Sequence, residues 1–290
     1  MRIAVTADLH WGHNRGDEAT RELAEHLWRD PPDVLVLAGD VGVADHFAGC
    51  LHLFSGLPSR KCLVPGNHDV WVEENDPRGD SLQVYRTYLP DVAAQHGFVY
   101  LDEEPLILSG DLAIAGTMNW YDYSWSLENV KQEFPDWESR LAHKLFTRGR
   151  HNDARFVRWP TNDVDFTKEI VTRFERHLVE ALHQSEQVIV ITHHPPFYGL
   201  NFPRPGPPTP DGLLWDAFCG NKQMETVLER YAAKIPFVFC GHTHRERTNQ
   251  LGPIRGFNVG SDYPFKRLLL IDWPAGTVEA SEFRRGMPAN

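Results

Sequence analysis

The sequence has no long hydrophobic run and only four cysteines. No apolar stretch approaches the ~18 residues that a membrane-spanning helix needs. Met1 leads directly into Arg2-Ile3-Ala4-Val5 rather than into the apolar segment of a signal peptide, so we expect neither a membrane span nor a secretion signal. The cysteines form no CxxC pair, which favours reduced thiols and predicts a cytoplasmic location. They are Cys50, Cys62, Cys219 and Cys240.

Positive charge is also scarce. The 290 residues include 29 Lys and Arg against 40 Asp and Glu, and the net charge is −11. Such a chain repels a phosphate backbone, which argues against a nucleic-acid polymer as partner but leaves room for a small phosphorylated substrate at a local cationic site. Hydrophobic residues at 41% and charged residues at 24% are ordinary globular values and exclude a disordered or fibrous protein.

Short apolar runs recur along the chain with helical periods between them. Each run is nearly continuous in apolar character, which is typical of strands in a sheet covered on both faces. Leu23 and Leu27 lie one helical turn apart, and apolar residues repeat every fourth position over residues 166–182, after a candidate cap at Thr161-Asn162-Asp163. This alternation predicts a single α/β sandwich domain over residues 1–290. The predicted strands are residues 3–7, 34–38, 61–64, 112–115, 188–192, 237–240 and 268–271.

Two segments do not follow this alternation of strand and helix patterns. Residues 118–160 contain four of the nine tryptophans and little strand patterning, which predicts an inserted cap at about 118–162. Residues 203–210 are rich in proline and predict a stiff loop.

Asp, Asn and His residues follow five of the predicted strands directly. Because ligands gather beyond the carboxyl ends of strands in open α/β sheets, we expect these residues to meet at one rim. Their oxygen and imidazole groups suit divalent ions such as Mn, Fe, Co or Zn. Seven candidate ligands are too many for one tetrahedral ion but fit two ions that share a carboxylate. The motifs are Asp8-Leu9-His10, Gly39-Asp40, Gly66-Asn67-His68-Asp69, His193-His194 and Gly241-His242-Thr243-His244.

This set of motifs, which spans residues 8–244, resembles the calcineurin-like metallophosphoesterase superfamily. The resemblance implies a four-layer αββα sandwich with a dinuclear metal site at the C-terminal strand ends. It implies that Asp40 bridges the two ions and that His68 is a proton donor rather than a ligand. The first ion would take Asp8, His10, Asp40 and His244, and the second would take Asp40, Asn67, His193 and His242.

The implied activity is hydrolysis of a small organic phosphate or nucleotide ester by in-line attack of a hydroxide that bridges two Mn, Fe or Zn ions. A phosphodiesterase is favoured, with a phosphomonoesterase on the same site as the alternative and a non-catalytic interaction scaffold of this fold as the third. The Asp-Arg pair of the protein serine/threonine phosphatases is absent after Gly39-Asp40, where the chain continues Val41-Gly42-Val43-Ala44-Asp45. The ion identity, the substrate and the oligomeric state stay open.

A basic stretch within the predicted insertion gives information about where the substrate binds. Residues 140–158 contain six basic residues and one acid, Asp153. They form either a solvated surface or a basic lid that contacts substrate through Arg148 and Arg150. Arg245 is a further candidate contact, or else a salt-bridge partner at the sheet edge. The nearby aromatic residues stack a base or, as we favour, pack the insertion onto the sandwich. These aromatics are Trp120, Tyr121, Tyr123 and Trp125.

Overall fold

The computed structural model describes residues 1–13, 16–202, 204 and 206–284. In chain order the strands are β1 (Arg2–Thr6), β2 (Val34–Ala38), β3 (Arg60–Val64), β4 (Phe98–Tyr100), β5 (Leu106–Ile107), β6 (Leu112–Thr117), β7 (Gln187–Thr192), β8 (Phe237–Cys240), β9 (Arg247–Leu251), β10 (Ile254–Asn258), β11 (Phe265–Asp272) and β12 (Thr277–Arg284).

The helices are α1 (Asp17–Arg29), α2 (Asp45–His52), α3 (Ser81–Gln83), α4 (Leu89–Gln95), α5 (Leu127–Glu133), α6 (Trp137–Ala142), α7 (Asp153–Phe156), α8 (Asp163–Gln184), α9 (Pro210–Ala217) and α10 (Lys222–Arg230). A π-helical segment joins α3 to α4, and two short 3₁₀ turns follow β7 and α10.

The strands form two six-stranded sheets, in the orders β12-β11-β1-β2-β3-β4 and β5-β6-β7-β8-β10-β9. Strands β1 to β4 of the first sheet are parallel to one another, as are the central strands β6, β7, β8 and β10 of the second. Antiparallel strands β11 and β12 extend the first sheet beyond β1, and antiparallel β5 and β9 form the two edges of the second. The carboxyl ends of the central strands therefore open at the same rim of their sheets.

One hydrophobic core lies between the sheets and one lies on each outer face. In β2, Val34 and Val36 belong to the inner core, whereas Leu35 and Leu37 pack with Leu27 of α1 in an outer core. The other outer core joins β7 and β8 to α8 and α10. This order of layers is the αββα sandwich predicted from the sequence. Burial on both faces explains why the central strands are continuously apolar.

All seven predicted strands are present, with ends within three residues of the predicted bounds; β11 begins three residues earlier than predicted, and β1 ends one residue earlier. Asn162 caps α8 as predicted, since its side chain accepts a hydrogen bond from the Asp165 backbone N–H. The predicted loop at 203–210 ends one residue too late: Pro210 is the first residue of α9, a position where its missing N–H is harmless. Pro203 and Pro205 lie outside the described residues.

The described helices include none that is both long and apolar enough to cross a membrane. All four cysteines are buried and free.

Candidate metal and phosphoester site

The predicted ligands lie in turns that leave β1, β2, β3, β7 and β8 at their carboxyl ends. Five of them adopt positive φ angles, a left-handed conformation that costs about 1–2 kcal/mol for a residue with a Cβ. Such backbone strain concentrates at functional sites, where the surrounding structure holds it in place. The residues are Asp8 (55°), His10 (44°), Asp40 (51°), His242 (71°) and His244 (53°).

Two glycines let these turns pack closely together. A Cβ on Gly66 would lie 2.1 Å from Asp40 Oδ1, and one on Gly39 would lie 2.4 Å from His193 Nδ1. Gly39 also has a φ of +86°, which other residues rarely adopt. A side chain at either position would displace a predicted ligand.

A first group of donor atoms comes from Asp8, His10, Asp40 and His244, whose ligand atoms all lie within 4.8 Å of one another. His10 Nε2 is 3.0 Å from His244 Nε2 and 3.5 Å from Asp40 Oδ2. His244 Nε2 is 3.6 Å from Asp8 Oδ1. The four side chains thus converge on one small volume, as expected for ligands of a single ion.

The chemistry of this group fits a cation. Asp8 Oδ2 is buried and has no hydrogen-bond partner among the described residues. An anionic oxygen in that state is costly unless a positive charge compensates it. Burial is the main cause that raises the pKa of Asp8. A divalent ion held by two carboxylates and two imidazoles would supply the missing charge.

A second group surrounds Asn67. Its Oδ1 lies 3.1 Å from His193 Nε2 and 3.2 Å from His242 Nδ1. His193 Nδ1 lies 3.0 Å from the Ala38 carbonyl oxygen, so this nitrogen donates its proton there and Nε2 is the nitrogen directed at Asn67 and Asp40. The candidate ligands Asn67, His193 and His242 of the predicted second ion therefore lie close together.

Asp40 lies between the two groups. Its Oδ1 is 3.4 Å from His193 Nε2, whereas its Oδ2 faces His10 at 3.5 Å. Burial alone would raise the pKa of Asp40, but His193, His68 and His10 outweigh it and hold that pKa well below the usual range. Asp40 therefore stays ionised, with one oxygen directed at each group.

The histidines of the site differ in the direction in which their surroundings shift the pKa. Burial lowers the pKa of His10 and of His242 well below the ordinary value, which leaves both rings neutral and able to donate a lone pair. Burial also acts on His193, but the charge of Asp40 outweighs it and raises the pKa of His193 to about 9. A cation beside Asp40 would compete for that interaction.

His68 lies at the surface of this centre rather than inside it. Its side chain is 20% exposed, and its Nε2 is 3.8 Å from Asp40 Oδ2. The ring stacks on the Trp71 indole with 3.7 Å between centroids. Its backbone N–H donates to Asp40 Oδ1 at 2.9 Å, so the main chain positions Asp40 while the imidazole faces the cavity.

A cavity of about 450 Å³ opens over the two groups. Arg150 and Arg245 line it, whereas Arg148 lies outside its lining; all three arginines are exposed. Trp120 and Tyr121 are fully buried in one of the outer cores, so they pack rather than stack a ligand. The aromatic residues that line the cavity are instead Trp71, Phe146, Phe202, Trp215 and Tyr263.

Several supporting residues were missed by sequence reasoning. Asp69 accepts from the Gly42 and Gly66 N–H groups, and its place in the Gly66–Asp69 motif was a usable signal. Tyr263 stacks on His10 with 4.6 Å between centroids, and Lys266 Nζ donates to the Asp8 carbonyl oxygen at 2.8 Å. Neither stands in a motif.

His194, excluded from the ligand set, is buried beside the second group. Its Nδ1 is 3.3 Å from the Met118 carbonyl oxygen, and its ring centroid is 4.0 Å from that of His242. His13 is exposed and packs against Tyr263 in a tilted arrangement, with 4.4 Å between ring centroids.

A four-layer sandwich with carboxylate, amide and imidazole groups at these strand ends defines the metallophosphoesterases, which are metal-dependent hydrolases of phosphoric esters. The sequence model of the calcineurin-like phosphoesterases matches residues 1–246, and the chain belongs to this family. The resemblance and the enzyme class predicted from the sequence are thereby confirmed.

The chain is 26% identical over 270 residues to the acyl-carrier-protein phosphodiesterase PptH of Mycobacterium tuberculosis, covering 89% of this chain and 76% of that protein. The solved structure of the phosphopantetheinyl hydrolase PptH from the same organism has a TM-score of 0.67 at 22% identity, with 89% of this chain and 88% of that chain covered. A dimetal phosphatase from Danio rerio has a TM-score of 0.57 at 11% identity, with 99% of both chains covered. The two structures share the fold.

Proposed function

We propose that the chain is a phosphodiesterase that holds two divalent ions, Mn, Fe or Zn, at the floor of its cavity. The observation that carries this proposal is the position of Asp40, whose two oxygens face different donor groups. Asp8, His10 and His244 complete the ligands of one ion. Asn67, His193 and His242 complete those of the other.

Two such ions, when bound, lower the pKa of a water molecule and stabilise charge on the phosphoryl oxygens. Asp40 offsets the repulsion between them, and Asn67 contributes an oxygen without adding negative charge. His68 faces the cavity and donates a proton to the leaving oxygen. The intact donor groups and His68 favour an enzyme over the scaffold alternative.

A diester substrate is supported by the extent of the cavity. Beyond the donor groups its lining includes Phe146, Phe202 and Trp215, which offer an apolar surface to a second ester group. The Mycobacterium tuberculosis relative is an acyl-carrier-protein phosphodiesterase, and the related structure is a phosphopantetheinyl hydrolase. We therefore include a phosphopantetheine diester, beside nucleotide esters, among the substrates to be tested.

The phosphodiesterase proposal is tested with bis(p-nitrophenyl) phosphate and p-nitrophenyl phosphate over Mn²⁺, Fe²⁺ and Zn²⁺. We expect faster turnover of the diester, loss of turnover on chelation and recovery on adding one of the three ions. Faster turnover of the monoester would favour the phosphomonoesterase instead. Two bound ions without turnover of either ester would favour the scaffold.

Arg150 and Arg245 are proposed to contact a second anionic group on the substrate. Both line the cavity, and neither side chain has an ion-pair partner among the described residues. Arg148 is proposed as a weaker contact, because it lies outside that lining. The segment at about 118–162, which supplies Phe146, Arg150, His151 and Asn152 to the lining, would then act as the predicted cap.

Charge reversal tests this contact. Arg150→Glu is expected to raise KM for a nucleoside-diphosphate ester about tenfold, since a hydrogen bond to a charged group contributes roughly 1.5–3 kcal/mol. Its effect on bis(p-nitrophenyl) phosphate should stay below about twofold, because that ester has no second anionic group. Arg148→Glu is the matched comparison, and it should raise that KM less than Arg150→Glu because Arg148 lies outside the cavity lining. If Arg150→Glu raised KM equally for both esters, it would contradict a specific contact with the second anionic group. The same would hold if both variants raised KM equally for the diphosphate ester, because the effect would then come from long-range charge alone.

We also propose a cytoplasmic location, which the four buried free thiols support. A small phosphorylated substrate remains the proposed partner, whereas the net charge of −11 argues against a nucleic-acid polymer.

A further inference from the structure

Asp153 lies at the start of α7, within the inserted segment, and its side chain is fully buried. Its Oδ1 accepts hydrogen bonds from Asn67 Nδ2 at 2.9 Å and from Trp71 Nε1 at 2.8 Å. Its Oδ2 accepts from the Tyr121 hydroxyl at 2.9 Å and lies 3.2 Å from His151 Nδ1. This acid of the basic stretch therefore contacts the site rather than solvent.

The hydrogen bond to Asn67 decides which end of its amide faces the second group. An amide carries an acceptor oxygen at one end and a donor nitrogen at the other. Because Asp153 holds Nδ2, the oxygen points at His193 and His242, at 3.1 and 3.2 Å. A rotated amide would present N–H groups to a cation and could not ligate it.

The hydrogen bond to Trp71 affects the position of His68, the proposed proton donor. Trp71 is the ring on which His68 stacks, and it also stacks on Phe156 of the same inserted segment. With its N–H held by Asp153, the indole has a defined orientation. His68 thus rests on a surface that Asp153 helps to position.

We infer that Asp153 is a positioning residue of the phosphoesterase site, through which the inserted segment orients both Asn67 and the indole beneath His68. This inference rests on the proposed role of Asn67 as a ligand of the second ion. Groups that orient metal ligands typically change metal affinity by about 10–100-fold when they are removed.

The test is calorimetric titration of the metal-free full-length protein with Mn²⁺. Asn67→Ala first identifies which of the two binding steps depends on Asn67. Asp153→Ala is expected to weaken that same step about 10–100-fold and to leave the other within about threefold. Tyr121→Phe is the matched control, because it removes only a partner of Oδ2, and both steps should stay within about threefold of wild type.

Asp153→Asn provides a second variant in case Asp153→Ala does not fold, as judged by circular dichroism. It keeps the shape and an acceptor oxygen, and neutral hydrogen bonds are roughly half as strong as charge-assisted ones. The Asn67-dependent step should therefore weaken about three- to tenfold, and the other step should not change.

Equal weakening of both steps, or no weakening of either, in the variant that folds would overturn the inference and leave Asp153 a purely structural residue. Fewer than two Mn²⁺ bound by the wild-type protein would instead contradict the proposed two-ion site. The two failures are therefore distinguishable on the same samples.

Discussion

Asp40→Asn is expected to bind neither metal ion tightly and to retain less than about one thousandth of the wild-type turnover. The substitution keeps the side-chain shape but removes the negative charge that faces both donor groups. Two divalent ions in a shared site repel strongly without an anion between them. A thousandfold loss corresponds to about 4 kcal/mol of transition-state stabilisation.

Metal counting by atomic emission and turnover of bis(p-nitrophenyl) phosphate, on one preparation, measure this prediction. Asp45→Asn is a suitable control, since it removes an exposed carboxylate at the start of α2 without touching the donor groups. It should keep two ions and wild-type turnover. Asp40→Asn protein that still held two ions at micromolar affinity would contradict the bridging role of Asp40.

Strands with nearly continuous apolar runs of four or more residues were predictable, whereas the short, polar or interrupted strands β4, β5, β9, β10 and β12 were not. The central strands carry continuous apolar runs because each face packs against a hydrophobic core. β12 is mostly exposed, and β9 has the polar sequence Arg-Thr-Asn-Gln-Leu at one sheet edge. β5 has two residues, too few for any period. Edge strands form because a neighbouring strand offers backbone groups, and their own side chains give little indication of it.

The donor groups were predictable for a related reason. Each follows a strand directly, so the topology alone brings Asp8, Asp40 and His193 to one rim. Arg148 and Arg150 differ by two positions, yet only Arg150 lines the cavity, and charge patterning does not reveal that direction. Asp153 reaches Asn67 across 86 positions of sequence. Such contacts depend on how the inserted segment packs, which short-range patterns do not encode.

His68→Ala is expected to lower turnover of an alkyl or nucleotide diester about 10²–10⁴-fold, the usual contribution of general acid catalysis. Turnover of bis(p-nitrophenyl) phosphate should fall far less, because a nitrophenolate leaves without a proton whereas an alkoxide does not. The variant should keep both ions. The His68 backbone N–H donates to Oδ1 of Asp40, the proposed bridging carboxylate, and this hydrogen bond is unaffected by removal of the side chain.

Steady-state rates on the two diesters, with metals counted on the same sample, measure this difference. His46→Ala is the control, because His46 is exposed on α2 and lies outside the cavity lining, so both diesters should react at wild-type rates. If His68 instead serves only to orient Asp40 or Asn67, its removal should slow both diesters to a similar degree and weaken metal binding. A large and selective loss on the alkyl diester, with two ions still bound, would assign the imidazole that stacks on Trp71 as the proton donor to the leaving oxygen.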